Sequence, residues 1–120
     1  MMILIVEDEQ GMRWILSRLL SQEGFQVQAV RTAAEALRIV EQETISAAII
    51  NYHLPGMNGL ELFQHLKRQG HQIPGVFITA YGSKELAETV LRSGFSAYLD
   101  KPFDNHRLVD EVRKTVTGDK

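Results

Sequence analysis

The chain has 120 residues, 44% of them hydrophobic and 23% charged, a composition typical of one globular domain and not of a disordered segment. The net charge of −2 gives no basic field that would attract nucleic acid or an anionic membrane, so we expect neither as a direct partner. The absence of cysteine excludes disulfides and thiolate metal sites and agrees with a cytoplasmic location. The apolar start, residues 1–6, is too short for a signal peptide or a membrane span.

Short apolar runs recur along the chain and are predicted to be strands. Four of them are nearly continuous, which is typical of strands buried on both faces of a parallel sheet. These are Met2 to Val6, Ala47 to Ile50, Val76 to Thr79 and Ala97 to Leu99. The run from Phe25 to Val30 alternates apolar and polar residues instead, so we place it at an edge with one solvated face.

Helical patterns lie between these runs. Apolar residues repeat with helical spacing in Met12 to Leu20, Ala33 to Val40 and Leu108 to Val116. Thr32 and Glu35 have the spacing of a capping box that starts the second of these helices. Helices are expected to end at three glycines, Gly24, Gly70 and Gly94. Five strand–helix repeats predict an α/β domain over residues 1–120, with a parallel sheet and helices on both faces.

Polar side chains follow the strands at the edge where such a sheet binds ligands. Glu7 and Asp8 come after the first strand, and Asn51 ends the third. Thr79 ends the fourth strand and Lys101 follows the fifth. Carboxylate and carbonyl oxygens suit a hard cation such as Mg²⁺, whereas a lysine and a hydroxyl suit the oxygens of a phosphoryl group.

With these residues in place, the whole chain resembles a response-regulator receiver domain, the phosphorylation switch of two-component signalling. The resemblance is carried by Glu7-Asp8, the loop Leu54-Pro55-Gly56-Met57-Asn58-Gly59, Thr79-Ala80, Tyr98 and Lys101-Pro102-Phe103. The spacing of 22 positions between Thr79 and Lys101 agrees, although the family usually has aspartate where Asn58 stands. The resemblance implies a flavodoxin-like (βα)5 doubly wound sheet with strand order 2-1-3-4-5.

The resemblance also implies a role for each site residue. Residue 51 would be the phosphoacceptor, Thr79 and Lys101 would assist the phosphoryl chemistry, and Thr79 and Tyr98 would form the switch. Mg²⁺ would be bound by Asp8, by the side chain of residue 51 and by the backbone carbonyl of His53, with Glu7 acting through water. The implied partners are a sensor histidine kinase or phosphotransfer protein of a phosphorelay and a C-terminal output domain, from which this receiver would have been excised.

The departure from the family is central, because the phosphoacceptor position holds Asn51 in place of aspartate. An amide oxygen is a far weaker nucleophile than a carboxylate, so we predict no phosphorylation there and no enzymatic activity. Losing one anion should also weaken the Mg²⁺ site. Asn51 should hydrogen-bond Lys101 through its oxygen while it donates from its nitrogen. The asparagine is either an introduced substitution or a natural residue, and the sequence leaves both open.

Alternative functions remain open. One is a pseudo-receiver that dimerises or docks a partner without phosphorylation, through the surface of helix four, strand five and helix five. The resemblance assigns that surface to Ser83 to Ser93, Ala97 to Asp100 and Asn105 to Val116. A Mg²⁺-dependent phosphatase would need a second acid two residues after Asp8, where Gln10 stands, and the phosphate loop of a flavin-binding protein is absent. Among the other aromatic residues, Trp14 is expected to be partly buried and His53 to border the site.

Overall fold

Strands and helices alternate along residues 1–118, the part of the chain that this computed structural model describes. The strands are β1 (Met2–Val6), β2 (Gln26–Val30), β3 (Ala47–Asn51), β4 (Gly75–Thr79) and β5 (Ala97–Asp100). The helices are α1 (Gln10–Gln22), α2 (Ala33–Gln42), α3 (Gly59–Arg68), α4 (Lys84–Arg92) and α5 (Asn105–Thr117). All strands pair in parallel in the order β2-β1-β3-β4-β5, which confirms the flavodoxin-like fold.

The two faces of the sheet carry separate hydrophobic cores. Successive residues of a strand point to opposite faces, so a nearly continuous apolar strand supplies both cores. One core joins the sheet to α2, α3 and α4 and includes Leu4, Val6, Ile50, Phe77, Ala36, Leu62 and Val90. The other joins it to α1 and α5 and includes Ile3, Ile5, Ile49, Ile78, Leu16, Leu20, Leu108 and Val112. The alternating segment lies at the edge as β2, as predicted.

The helix ends follow the local signals of the sequence. Thr32 and Glu35 form the predicted capping box of α2, and Asn58 and Glu61 form a second one at the start of α3. Gly24, Gly70 and Gly94 follow helices with positive φ angles of 92°, 89° and 109°, a conformation that favours glycine.

Trp14 corrects one expectation, because its side chain is 63% exposed. Leu16 and Leu20 form the buried face of α1, and Trp14 and the half-exposed Ile15 lie outside it. The guanidinium of Arg18 lies 5.5 Å from the Trp14 ring centroid and shields part of the ring.

The register of the sheet brings the polar strand ends to one edge. Val6 lies beside Ile50, Asn51 beside Ile78 and Thr79 beside Asp100. The residues that end or follow β1, β3, β4 and β5 therefore lie together at one edge of the sheet, which is called the pocket below. None of the helices within residues 1–118 has the length and apolar character that crossing a membrane requires.

Candidate functional site

The turn after β1 buries one acid of the pair and exposes the other. Glu7 has no exposed surface, and its Oε1 accepts a hydrogen bond of 2.7 Å from Lys101 Nζ. Its Oε2 accepts from the backbone N–H of Glu9, the N-cap residue of α1. Burial raises the pKa of the Glu7 carboxyl above its usual 4.5, and the hydrogen bond from Lys101 opposes that rise. Asp8 is exposed.

Asn51 is the last residue of β3 and is only 4% exposed. Its Nδ2 donates to the backbone oxygen of His53 at 2.9 Å and to Asp8 Oδ1 at 3.3 Å. The predicted donation from the nitrogen is therefore present. The prediction that Lys101 donates to the Asn51 oxygen is wrong, because residues 1–118 contain no such hydrogen bond. The Lys101 ammonium group donates instead to the carboxylate of Glu7, the stronger acceptor.

Thr79 and Lys101 are tied to each other through the backbone. Thr79 ends β4 with its side chain buried, and its Oγ1 accepts from the Tyr81 N–H at 3.1 Å. The Lys101 N–H donates to the Thr79 carbonyl at 2.8 Å, and the Lys101–Pro102 peptide bond is cis. The hydrogen bond to the Thr79 carbonyl fixes the backbone position from which the Lys101 side chain reaches Glu7.

Arg13 is a pocket residue that the sequence reasoning did not identify. It lies on the first turn of α1, and its Nη1 donates at 3.0 Å to the backbone carbonyls of both Glu7 and Asp8. The guanidinium thereby fixes the peptide units that carry the two acids and places a positive charge beside them. In the sequence, the position of the cationic Arg13 about one helical turn after the acidic pair could have indicated this role.

Tyr98 lies half-buried on β5 and is held at both ends of its side chain. Its ring stacks on Phe77, with centroids 5.8 Å apart and planes at 12°, and its hydroxyl donates to Asp100 Oδ1 at 3.0 Å. Burial raises the pKa of the Tyr98 phenol, as do the hydrogen bond to Asp100 and the charge of Asp100, whereas the backbone of Ser83 opposes that rise. A side chain at Gly82 would overlap both groups, since its Cβ would lie 1.8 Å from Tyr98 Oη.

His53 lies at the exposed rim of the pocket, as expected. Its ring meets Tyr81 edge to face, with centroids 5.8 Å apart, and lies 4.9 Å from the ring of Tyr52. The two loops that follow β3 and β4 thus touch through aromatic side chains. The backbone oxygen of His53 points inward to Asn51, so backbone and ring face different surroundings.

The donor set fits Mg²⁺ poorly. Mg²⁺ prefers oxygen ligands and is usually held by one or two carboxylates. Here the carboxylate of Asp8 and the carbonyl of His53 are engaged by the N–H groups of Asn51, and the carboxylate of Glu7 is engaged by Lys101. Across residues 1–118 no three histidine, cysteine, aspartate or glutamate side chains come together in a way that could hold a metal ion.

Comparisons with known proteins agree with this geometry. A family model described as the response regulator receiver domain matches residues 3–113. Response regulator protein FleR of Pseudomonas aeruginosa is 34% identical over 116 residues, which are 97% of this chain and 24% of that protein. Sporulation initiation phosphotransferase F of Bacillus subtilis is 31% identical over 112 residues, covering 93% of this chain and 90% of that one. The crystal structure of the receiver domain of NtrX from Brucella abortus superposes with a TM-score of 0.89 at 28% identity and covers 96% and 98% of the two chains.

Proposed function

Because this chain belongs to the response-regulator receiver family, we propose that it is a receiver of two-component signalling that cannot accept a phosphoryl group at residue 51. The observation that carries the proposal is the side chain of Asn51, which stands where the family's pattern places the phosphoacceptor. Thr79 and Lys101 lie at the neighbouring strand ends, in the positions that would assist such a reaction. The pocket therefore lacks the nucleophile but retains Thr79 and Lys101.

The chemistry of Asn51 supports this proposal. An ionised carboxylate attacks phosphorus with a full negative charge, whereas the amide oxygen is neutral and offers no stable phosphorylated product. The amide nitrogen already donates hydrogen bonds to Asp8 and to the backbone oxygen of His53. We assign no enzymatic activity to the chain, since self-phosphorylation was the reaction that the family would have supplied.

Receiver domains bind Mg²⁺ in this pocket, and we propose that this chain binds it weakly. One carboxylate fewer lowers the negative charge of the site, and affinity for hard dications depends on that charge. The family's pattern assigns the ligands to Asp8, the backbone oxygen of His53 and the side chain of residue 51, with Glu7 acting through water.

The proposal is tested by intact mass. The unmodified chain and its Asn51→Asp variant are incubated with Mg²⁺ and a small phosphodonor and then measured by mass spectrometry. We expect one phosphoryl adduct on the variant and none on the unmodified chain, because only the variant has a carboxylate at the end of β3. A matched Asn58→Asp variant adds the same charge in the loop outside the pocket and should gain no adduct.

Two outcomes would count against the proposal in different ways. An adduct on the unmodified chain, mapped to this pocket, would contradict the claim that Asn51 leaves the pocket without a phosphoryl acceptor. An unreactive Asn51→Asp variant with an unchanged fold would show that the pocket lacks more than its nucleophile. In that case Thr79 and Lys101 would have lost their assisting roles.

The chain spans about a quarter of the length of FleR, so partners and output are proposals. We propose a sensor histidine kinase or a phosphotransfer protein as the partner and an output domain in the longer protein. The receiver would meet its kinase without taking the phosphoryl group.

A phosphorylation-independent interaction module is the second candidate. The surface of α4 favours it, because this helix buries Val90 but leaves Leu91 49% exposed. Dimerisation through α4, β5 and α5 should then appear in sedimentation velocity without phosphodonor, and Leu91→Glu should abolish it. A monomer under all conditions would remove the dimerisation form of this candidate.

A further inference from the structure

The orientation of the Asn51 carboxamide is set by its two neighbours. The amino end faces Asp8 Oδ1 at 3.3 Å and the backbone oxygen of His53 at 2.9 Å. A carboxylate and a carbonyl only accept hydrogen bonds, so the amide oxygen cannot take the place of the nitrogen without losing both. The side chain is 4% exposed, so water cannot readily replace these partners.

Those two oxygens are also the ones that the family's pattern assigns to Mg²⁺ together with residue 51. We infer that Asn51 competes with a divalent cation for the pocket and is not simply a weaker ligand. Its amino group carries partial positive charge and joins the Asp8 carboxylate to the His53 carbonyl, which is the link that a cation would make. To bind a cation through its oxygen, the carboxamide must turn over and give up both hydrogen bonds.

This inference deepens the proposed function, on which it rests for the identity of the pocket. It differs from a simple loss of charge in what it predicts for Asn51→Ala. If the amide contributes an oxygen ligand, removing it weakens Mg²⁺ binding. If the amide competes, removing it frees the oxygens of Asp8 and His53, and water takes the vacated position, as Mg²⁺ readily keeps water ligands.

The test is calorimetric titration of the apo protein with Mg²⁺. We expect Asn51→Ala to bind Mg²⁺ about 3- to 10-fold more tightly than the unmodified chain, the range that follows from one or two modest hydrogen bonds. Asn51→Asp should bind more tightly still, because it also adds a charge. Asp8→Asn, which removes the carboxylate that either arrangement needs, should abolish binding and shows that the heat comes from this pocket.

A second measurement guards against a misfolded variant. The side-chain NH₂ resonances of Asn51 in the unmodified protein should shift on Mg²⁺ addition together with the backbone carbonyl resonance of His53, because the cation displaces the amide from that oxygen. Equal or weaker Mg²⁺ binding by folded Asn51→Ala would overturn the inference. So would Mg²⁺ saturation that leaves the Asn51 NH₂ resonances in place.

The two proposals fail separately. Mass spectrometry reports on the phosphoryl acceptor, and calorimetry reports on the cation without any phosphodonor. If folded Asn51→Ala binds Mg²⁺ no more tightly than the unmodified chain, and the unmodified chain gains no adduct, only the inference that Asn51 competes with the cation is contradicted. An adduct on the unmodified chain would end the proposed function and leave the titration result standing.

Discussion

The ion pair between Glu7 and Lys101 lies largely out of contact with solvent, with Glu7 fully buried and the Lys101 side chain 16% exposed. Removing one partner of a buried pair leaves an uncompensated charge. We predict that Lys101→Met lowers the free energy of unfolding by about 3 kcal/mol at pH 7, the lower end of the range for buried pairs because Lys101 keeps some contact with water. Urea denaturation measures the loss.

The pH dependence of that loss identifies its cause. Burial already raises the Glu7 pKa above 4.5, and removing Lys101 raises it further. The folded variant then holds a proton that the unfolded chain releases above about pH 4.5, so its stability falls as the pH rises from 5 to 8. The double variant Glu7→Gln/Lys101→Met should show no such slope. A loss from Lys101→Met that is equal at pH 5 and pH 8 would exclude an unpaired carboxylate as the cause.

Tyr98 gives a second titration at the residue scale. Its phenol has a folded pKa above 10.0 because of burial and of Asp100, so the unfolded chain loses this proton first and stability falls as the pH rises through about 10. In a ¹³C-tyrosine NMR titration, the Tyr98 phenol should still be mostly protonated at pH 10. Asp100→Asn should shift the midpoint of this titration downward. An unshifted midpoint would show that Asp100 does not influence the pKa of the Tyr98 phenol.

At the scale of elements, two glycines differ in what surrounds them. A Cβ on Gly59, the first residue of α3, would lie 2.2 Å from the backbone oxygen of Asn51, whereas one on Gly82 would meet the ends of two side chains. Side chains can move aside, but the end of β3 cannot. We predict losses of about 3 kcal/mol for Gly59→Ala and about 1 kcal/mol for Gly82→Ala in urea denaturation.

The spectrum of Tyr98 provides the control for this pair. Gly82→Ala should displace the Tyr98 ring and lower its pKa, because the hydrogen bond to Asp100 is disturbed. Gly59→Ala leaves that hydrogen bond untouched and should not change the titration. Equal destabilisation by both substitutions would mean that the β4–α4 loop is as rigid as the end of β3.

The elements themselves were largely predictable from hydrophobic periodicity. Apolar runs buried on both faces gave the strands to within one residue at their ends, since burial decides their composition. The start of α3 was not identified, although Asn58 and Glu61 have the spacing of a capping box. Trp14 was misplaced because helical spacing shows which residues could share a face but not how wide the buried face is.

At the scale of the whole molecule, the sequence predicted where the pocket lies but not which of its side chains contact each other. Strand ends meet at one edge by topology alone, which is why Glu7, Thr79 and Lys101 could be named in advance. The choice of Lys101 between Glu7 and Asn51 depends on side-chain distances that no sequence pattern encodes. The same holds for Arg13, whose two hydrogen bonds go to backbone carbonyls that every residue possesses.

The Glu7–Lys101 pair also has a consequence for how the chain folds. Its partners are 94 positions apart, one just after β1 and the other just after β5. Contacts between residues so far apart in the sequence require a long loop to close, which costs entropy and slows folding. A nascent chain that has not yet reached β5 carries Glu7 without its counter-charge. Completion of the pocket therefore coincides with docking of the last strand, and we expect fragments that end before Lys101 to remain unfolded.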